Sequence, residues 1–510
     1  MLAWQLANQP EHPGISCDSG PAASPLIGGF LDPQLRGDRK MFNQVLAPTG
    51  HMWSTIALAL VPLAALLFML AVLRITAWLA TIIAGAVTLV IGILVWQAPI
   101  NGALRAYLYG GLQGAWVIDW ITFWGLIIFN TLVLTGDFDR FKQWMINQAT
   151  IDVRIQTIML AWAFGALLEG LVGFGYPWAV VVPILVSLGI IDLEAIRVAA
   201  LANNAPVSYG ALGSPILALA AVAGMPLLAL SASVGNIVAV LALLPPFVLI
   251  YLVSGWDGLV EAWPLAIVGS LSYILGQWPV SHYLGPYLPD LSGALVSFWI
   301  LFFFVKIWRP RHIRAYGGKI ISDEEAAAAD PPQAFVEALR SWLPFIVLIV
   351  VVVLWTGPWS KLPTISWYKL STAAISSVTH KPIGMANSLA YELAKVGWKF
   401  VILAPILGWI GVALSGSNTS TNAMFGPIQA VTGRLLRMPL LLMPSLNSVG
   451  AEVGKPIAPQ TASVGVSTSR FVRDEGQVIR HNMVWTLIVL AYLIGIGLLF
   501  YFVLPNAMKL

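Results

Sequence analysis

An all-α polytopic membrane protein is the fold class this sequence predicts, on three observations. Of 510 residues, 58% are hydrophobic and only 10% are charged, whereas soluble domains carry roughly a quarter charged residues. Mean hydropathy is +0.82. The 22 tryptophans exceed what an aqueous core usually holds and suit the membrane–water interface. A net charge of +4 lies scattered in short loops rather than along one helix face, which argues against nucleic acid as a partner. The single cysteine, Cys17, excludes an internal disulfide framework and a Cys-based metal site.

Along the chain, residues 1–40 come first. They are rich in Pro, Gly and Ser and have no sustained apolar core, so they are not a secretory signal. They read as a disordered tail, or as the product of a start assigned upstream of Met41. Spans of roughly twenty apolar residues follow at 53–73, 77–96, 115–135, 227–253, 259–278, 291–308, 341–357, 393–414 and 483–505. Three further stretches, 155–190, 195–223 and 409–467, are long enough to cross but are interrupted by Gly, Pro, Asn and Ser. Together they predict about twelve to fourteen crossings, some of them half-helices. One polar connector, 306–340, is long and charged, and it divides a first transmembrane half (41–305) from a second (341–510). Its Lys306, Arg309, Arg311, Arg314 and Lys319 place it in the cytoplasm. Arg140, Lys142 and Arg154 are read as charges of another connector, and Arg197 as a snorkelling side chain.

The broken segments come twice. The first half has "GALLEGLVGFGYP" and "NNAPVSYGALGSPI", within 163–178 and 203–218. The second has "GVALSGSNTSTNAMFGP" and "NSVGAEVGKPIAPQ", within 411–429 and 445–465. Landmarks recur at a nearly fixed offset: Gly170 and Gly416 are 246 positions apart, Phe174 and Phe425 251, Asn203 and Asn447 244, Gly213 and Gly454 241. Duplicated, interrupted segments point to a transporter's binding site. In hydrocarbon every backbone N–H and C=O needs a partner, so irregular chain survives only inside protein or along a wet cavity. The ends of broken helices carry free N–H groups that attract an anion. Ser417, Asn418, Thr419, Ser420, Thr421 and Asn422 add neutral donors in a run unsuited to lipid. Small-residue helix packing explains an isolated glycine, but not that run between paired helix breakers. The predicted architecture is two inverted-repeat halves with broken or re-entrant helices, of an ion-transporter or elevator-like kind.

Buried charge supplies the chemistry. Glu169 sits in an apolar stretch with no basic residue near it in sequence. A carboxylate there costs several kcal/mol or takes up a proton, which makes Glu169 a candidate proton carrier. Glu452 is the matching acid of the second half. Lys455 either meets a substrate carboxylate or pairs with Glu452 one helical turn away. Glu392 and Lys395 read as an i, i+3 pair on an interfacial helix, and Asp119 and Asp257 as groups at water boundaries. His282 and His380 lack the companions a metal site needs. No Walker sequence and no dinucleotide fingerprint occurs. The apolar segments hold no His/Asp/Glu cluster and no Ser-Lys or Ser-His arrangement, which argues against an intramembrane enzyme.

With "LLEGLVGFGYP", "NNAPVSYGALGSPI", "SGSNTSTNAMFG" and "NSVGAEVGKPIAPQ" in this order, the chain resembles the bacterial L-lactate permease family over essentially 41–510. The resemblance implies a proton-coupled secondary transporter of the plasma (inner) membrane that imports lactate, and often glycolate, without a cofactor. Its partners would be a small monocarboxylate, protons and the lipid bilayer, with a homodimer left open. Matched positions carry over as substrate-binding candidates, Asn203, Asn204, Ser417, Asn418, Thr419, Asn422, Lys455 and Gln460, and as a proton-coupling candidate, Glu169, beside Glu452. Four places depart from the family pattern. Tyr176 stands where a small residue is usual, Asn204 where the family has N-T-A-P, Asn418 where an aspartate is usual, and Pro456 and Ala458 replace the commoner residues. The missing carboxylate at 418 bears on coupling, and Tyr176 on which side chain of a hydroxy acid is accepted. A carrier for another small organic or inorganic anion, or an anion channel, is the alternative reading.

Overall fold

The computed structural model describes residues 47–71, 73, 77–113, 120–137, 140, 151–173, 175–322, 385–469 and 474–509, with isolated positions between 343 and 354. The tail 1–40 with Cys17, the connector 323–342, most of the expected span 341–357, and Asp119, Phe174 and His380 lie outside the described residues. Within them the protein is helical, apart from one antiparallel bridge between Arg314 and Ile320.

The first two expected spans form α1 (Met52–Ala71) and α2 (Ala77–Leu94). Next come α3 (Ile100–Gln113), too short and too polar to read as a span, and α4 (Trp120–Leu134). The stretch carrying Glu169 begins as α5 (Val153–Gln156), winds into a π-helical run at Thr157–Phe164, and continues as α6 (Gly165–Leu171). Every residue of the π run and of α6 is buried. The wider turn shifts the faces of α6 relative to α5, a feature common at functional sites. The chain then breaks, with Gly173 and Gly175 at φ 67° and 84°, before α7 (Tyr176–Ser187) starts with Pro177 in its first turn.

The second broken segment follows α8 (Asp192–Ala202). The nominal first turn of α9 (Gly210–Ala223) is unwound, with Ala211, Leu212 and Gly213 at φ 45°, 53° and 77°. The two limbs meet at 66°. Next are α10 (Leu227–Leu241), α11 (Pro245–Tyr283) and α12 (Pro289–Ile307). The expected span 227–253 is in fact interrupted at 242–244, ahead of Pro245 and Pro246, whose missing N–H groups fit only a helix start. The expected span 259–278 is the second arm of α11, past a left-handed Gly255 at φ 71°.

The second half contributes α13 (Met385–Ala394), α14 (Phe400–Ser415), α15 (Asn418–Leu435), α16 (Leu442–Gly454), α17 (Pro459–Thr468) and α18 (Glu475–Phe502). Here α14 stops at Gly416, φ 72°, and Ser417 caps α15 by accepting from the Ser420 N–H. α16 stops at Gly454, and a short 3-10 turn leads to α17. Among the described residues four helical stretches are long and apolar enough to cross a membrane: Leu227–Tyr283, Pro289–Ile307, Gly397–Ser415 and Glu475–Phe502. The bent pair α8 and α9 makes a fifth if taken as one broken span. The sequence predicts more crossings because it also counts shorter broken limbs and stretches outside the described residues.

The two halves interlock. α7 packs on α17 and α9 on α15, while α8 packs on α18 and α10 on α16. Exchanging α7 with α15, α8 with α16, α9 with α17 and α10 with α18 maps this set of contacts onto itself.

Arg154 corrects an expectation. It is not a solvated connector charge but fully buried. Its guanidinium donates to Asp152 at 2.6 and 2.9 Å, to Glu261 and the Gly258 carbonyl at 3.2 Å, and to the His312 carbonyl at 2.7 Å. Arg314 adds a 3.0 Å bond to Glu261, and its N–H donates to Asp152. The start of the linker is thus clasped to α5 and α11. Arg197 is likewise paired rather than snorkelling, donating to Glu194 and to the His481 carbonyl, each at 3.1 Å. Lys395 and Glu392 form the expected i, i+3 pair.

Candidate functional site

Glu169 lies on α6 one turn before the first break and is 2% exposed. Its Oε1 accepts from Lys455 Nζ at 2.7 Å, and its Oε2 accepts from Asn203 Nδ2 at 2.9 Å. Lys455 follows the last turn of α16, where a cation suits the free carbonyls. Asn203 follows the last turn of α8. Three broken segments therefore meet at one carboxylate. Of the two alternatives for Lys455, the pairing with Glu452 is corrected: the side chain that faces it is Glu169, from the other half of the chain.

The backbone makes room for this meeting. A Cβ on Gly210 would lie 3.1 Å from both Cγ and Cδ of Glu169, closer than ordinary packing allows. The unwound start of α9 thus touches the carboxylate directly.

Glu452, fully buried on α16, belongs to a second polar network. Its Oε2 accepts from Ser208 Oγ at 2.7 Å, across the two halves. Ser208 lies 3.2 Å from Ser448, and Ser448 accepts from Asn422 Nδ2 at 3.0 Å. Asn422 also donates to the Pro215 carbonyl at 3.1 Å and accepts from Asn447 Nδ2 at 3.0 Å. Asn422 is thus buried, as are Asn418 and Thr421 of the same run, whereas Ser420 is exposed. Ser208, Asn447 and Ser448 join Asn422 without having stood out as candidates, although Asn447 opens the repeated motif.

Several buried polar atoms here lack partners: Oδ1 of Asn203, both amide atoms of Asn204 and of Asn418, and Oε1 of Glu452. Buried polar groups are normally hydrogen-bonded, so orphaned amides at the ends of broken helices fit a polar guest. Asn204 and Asn418 are 1% and 4% exposed. The remaining candidates sit differently. Ser417 is spent on capping α15, and half-buried Thr419 lies 3.5 Å from Ser214. Gln460 is exposed and packs beside Gly416, which puts it at the rim. Tyr176 is half-buried at the first turn of α7 and packs on the core.

Sequence reasoning missed one acid. Asp290, in the first turn of α12, is 1% exposed, and its Oδ1 accepts from the Tyr273 hydroxyl at 3.0 Å. A Pro-Asp pair ahead of an apolar run reads as a solvated helix start, so only the fold reveals it as interior.

Comparison with known proteins shows the family of the chain. The family model described as L-lactate permease matches residues 55–381 and 360–504. Glycolate permease GlcA of Escherichia coli (strain K12) is 30% identical, over 89% of this chain and 97% of its own length. L-lactate permease of the same strain is 28% identical, over 88% and 97%. L-lactate permease of Bacillus subtilis (strain 168) is 28% identical, over 88% and 96%. With the apolar helices described above, these likenesses make the chain a multi-pass membrane protein, and a transporter rather than an enzyme. It belongs to the L-lactate permease family.

Proposed function

We propose that the protein is a proton-coupled symporter carrying lactate and related small 2-hydroxymonocarboxylates, such as glycolate, across the bacterial plasma membrane. The observation that carries this reading is the buried Lys455–Glu169 pair at 2.7 Å, with the amide of Asn203 bonded to Glu169 and its Oδ1 left unpartnered. Lys455 is a cation matched to one carboxylate, and a substrate carboxylate can replace Glu169 upon it. Glu169 is then a lone buried anion until it takes a proton. Substrate and proton therefore load together, because local neutrality requires both. Asn203, Asn204 and Asn418 supply the donors and acceptors a 2-hydroxyl needs. Glu452, already hydrogen-bonded to Ser208, is the second place a proton can rest.

Coupling also removes an electrical cost. A monocarboxylate moving inward alone against an interior-negative potential opposes about 2.3 kcal/mol per 100 mV; one accompanying proton cancels it. The reciprocal packing of α7 to α10 against α15 to α18 supports a pair of two-fold-related halves, and with it alternating access by motion of one set of elements against another.

Uptake of labelled lactate and glycolate into proteoliposomes, with and without an inward proton gradient, tests this reading. The expected result is gradient-driven accumulation, with internal lactate accelerating exchange. Uptake indifferent to the gradient removes proton symport. Failure of internal substrate to accelerate uptake favours a channel, and a competition panel in which another small anion prevails favours that substrate.

A further inference from the structure

Glu169, Glu452 and Asp290 are three deeply buried acids, and Lys455 is their one buried basic neighbour among the described residues. Lys455 neutralises Glu169, which leaves two carboxyl groups without a cation. Asp290 is unusual among them in being used by nothing described above. α12 packs on α6, and the contact is close: a Cβ on Gly170, the residue after Glu169, would lie 2.8 Å from Asp290 Cβ. Charged and titratable groups face it from several elements: Glu169 of α6, Glu452 of α16, Lys455 just beyond α16, Tyr273 of α11, and Tyr209 ahead of α9. Its Oδ2 has no partner. Neither has the amide of fully buried Gln277, one turn beyond Tyr273 on α11. A carboxylate in a helix's first turn gains from the free N–H groups there. That alone gives no reason to bury an unpartnered oxygen beside two further acids.

Position adds direction. Asp290 opens α12, whose 19 residues run about 28 Å at 1.5 Å per residue to the end where the linker begins. Asp290 therefore lies at the end of this helix away from the linker, against Gly170, the residue after Glu169.

We propose that Asp290 is a proton-relay residue of the transport cycle, passing protons between Glu169 and the face of the protein opposite the linker. The inference rests on the symport reading above. When substrate displaces Glu169 from Lys455, the proton on Asp290 Oδ2 passes to the freed Glu169 carboxylate. Asp290 is left as a carboxylate held by the Tyr273 hydroxyl, and a proton from solution restores it. The exchange conserves charge within the site.

The test compares wild type, Asp290→Asn, Asp290→Glu and Tyr273→Phe in proteoliposomes. It measures net lactate uptake against pH and lactate counterflow, which needs no net proton release. Asp290→Asn is expected to lower gradient-driven uptake at least tenfold while keeping counterflow, and Asp290→Glu to restore uptake in part. Tyr273→Phe withdraws the hydroxyl that steadies the deprotonated form, so the midpoint of its uptake profile is expected to move to higher pH. That shift decides the matter if Asp290→Asn does not fold. Wild-type net uptake in Asp290→Asn, or an unmoved midpoint in Tyr273→Phe, overturns the relay while leaving symport standing. A wild type indifferent to the proton gradient overturns both.

Discussion

Lys455 and Glu169 lie 286 positions apart in the chain and meet at 2.7 Å. Removing one partner of a buried pair leaves an uncompensated charge and costs about 3–5 kcal/mol, whereas removing both is often neutral. Glu169→Gln and Lys455→Met are each expected to lower unfolding stability in detergent, and the double substitution is expected to recover most of that loss. Transport separates from stability. Glu169→Gln is expected to abolish net uptake yet leave exchange intact, and the double variant to stay inactive because no cation remains to receive a carboxylate. A double variant no more stable than either single one would show that the two side chains do not compensate each other. Both residues were legible in the sequence, since an acid within an apolar run needs an explanation. Their pairing was not, because sequence spacing places Lys455 nearest Glu452 and nothing local says which break faces which. Asp290 stayed hidden for a related reason: at a helix start an acid is ordinary, and only the packing of α12 on α6 makes it an interior one.

At the scale of elements, apolar length located most of the helices and glycine-rich stretches contain the breaks, although Gly426 and Pro427, which also read as breakers, lie inside the continuous α15. Neither signal could reveal the π-helical run before Glu169, since π and α geometry draw on the same apolar residues. Nor could they show that Arg154 would be drawn inside, because its clasp depends on Glu261 and the His312 carbonyl, both more than a hundred positions away. Two consequences can be measured. Gly210 has φ −59° and ψ 157°, a backbone that alanine adopts freely, so Gly210→Ala brings no backbone strain. Its methyl group must instead push the Glu169 carboxylate off Lys455 and Asn203. The variant is expected to fold like wild type and to lose at least about tenfold in uptake efficiency, equivalent to about 1.4 kcal/mol. Arg154→Lys tests the clasp. A single ammonium cannot reproduce the forked contacts to Asp152, Glu261 and two carbonyls, so a loss of roughly 3 kcal/mol or more in stability is expected. An Arg154→Lys protein with wild-type unfolding would show that the clasp adds little.

For the whole molecule, the interlocked halves make a separate demand. Each half supplies groups that the other needs: Glu169 from the first is neutralised by Lys455 from the second, and Glu452 from the second is hydrogen-bonded by Ser208 from the first. Either half alone would hold buried, uncompensated charge and uncovered faces on four helices, α7 to α10 or α15 to α18. Their association buries both faults at once, and the charged, Pro-containing sequence at 323–333 reads as a connector between them. Cutting the chain there leaves every described side chain of the site in place. Co-expressed fragments 1–325 and 330–510 are expected to copurify from detergent and to restore gradient-driven lactate uptake, while each fragment alone gives neither a stable protein nor uptake. In the fragment pair, Lys455→Met is expected to weaken copurification, because the charge it leaves unmatched on Glu169 sits at the contact between the two pieces. Fragments that associate as strongly with Lys455→Met as without it would mean that apolar packing alone joins the halves, and that the ion pair serves transport rather than assembly.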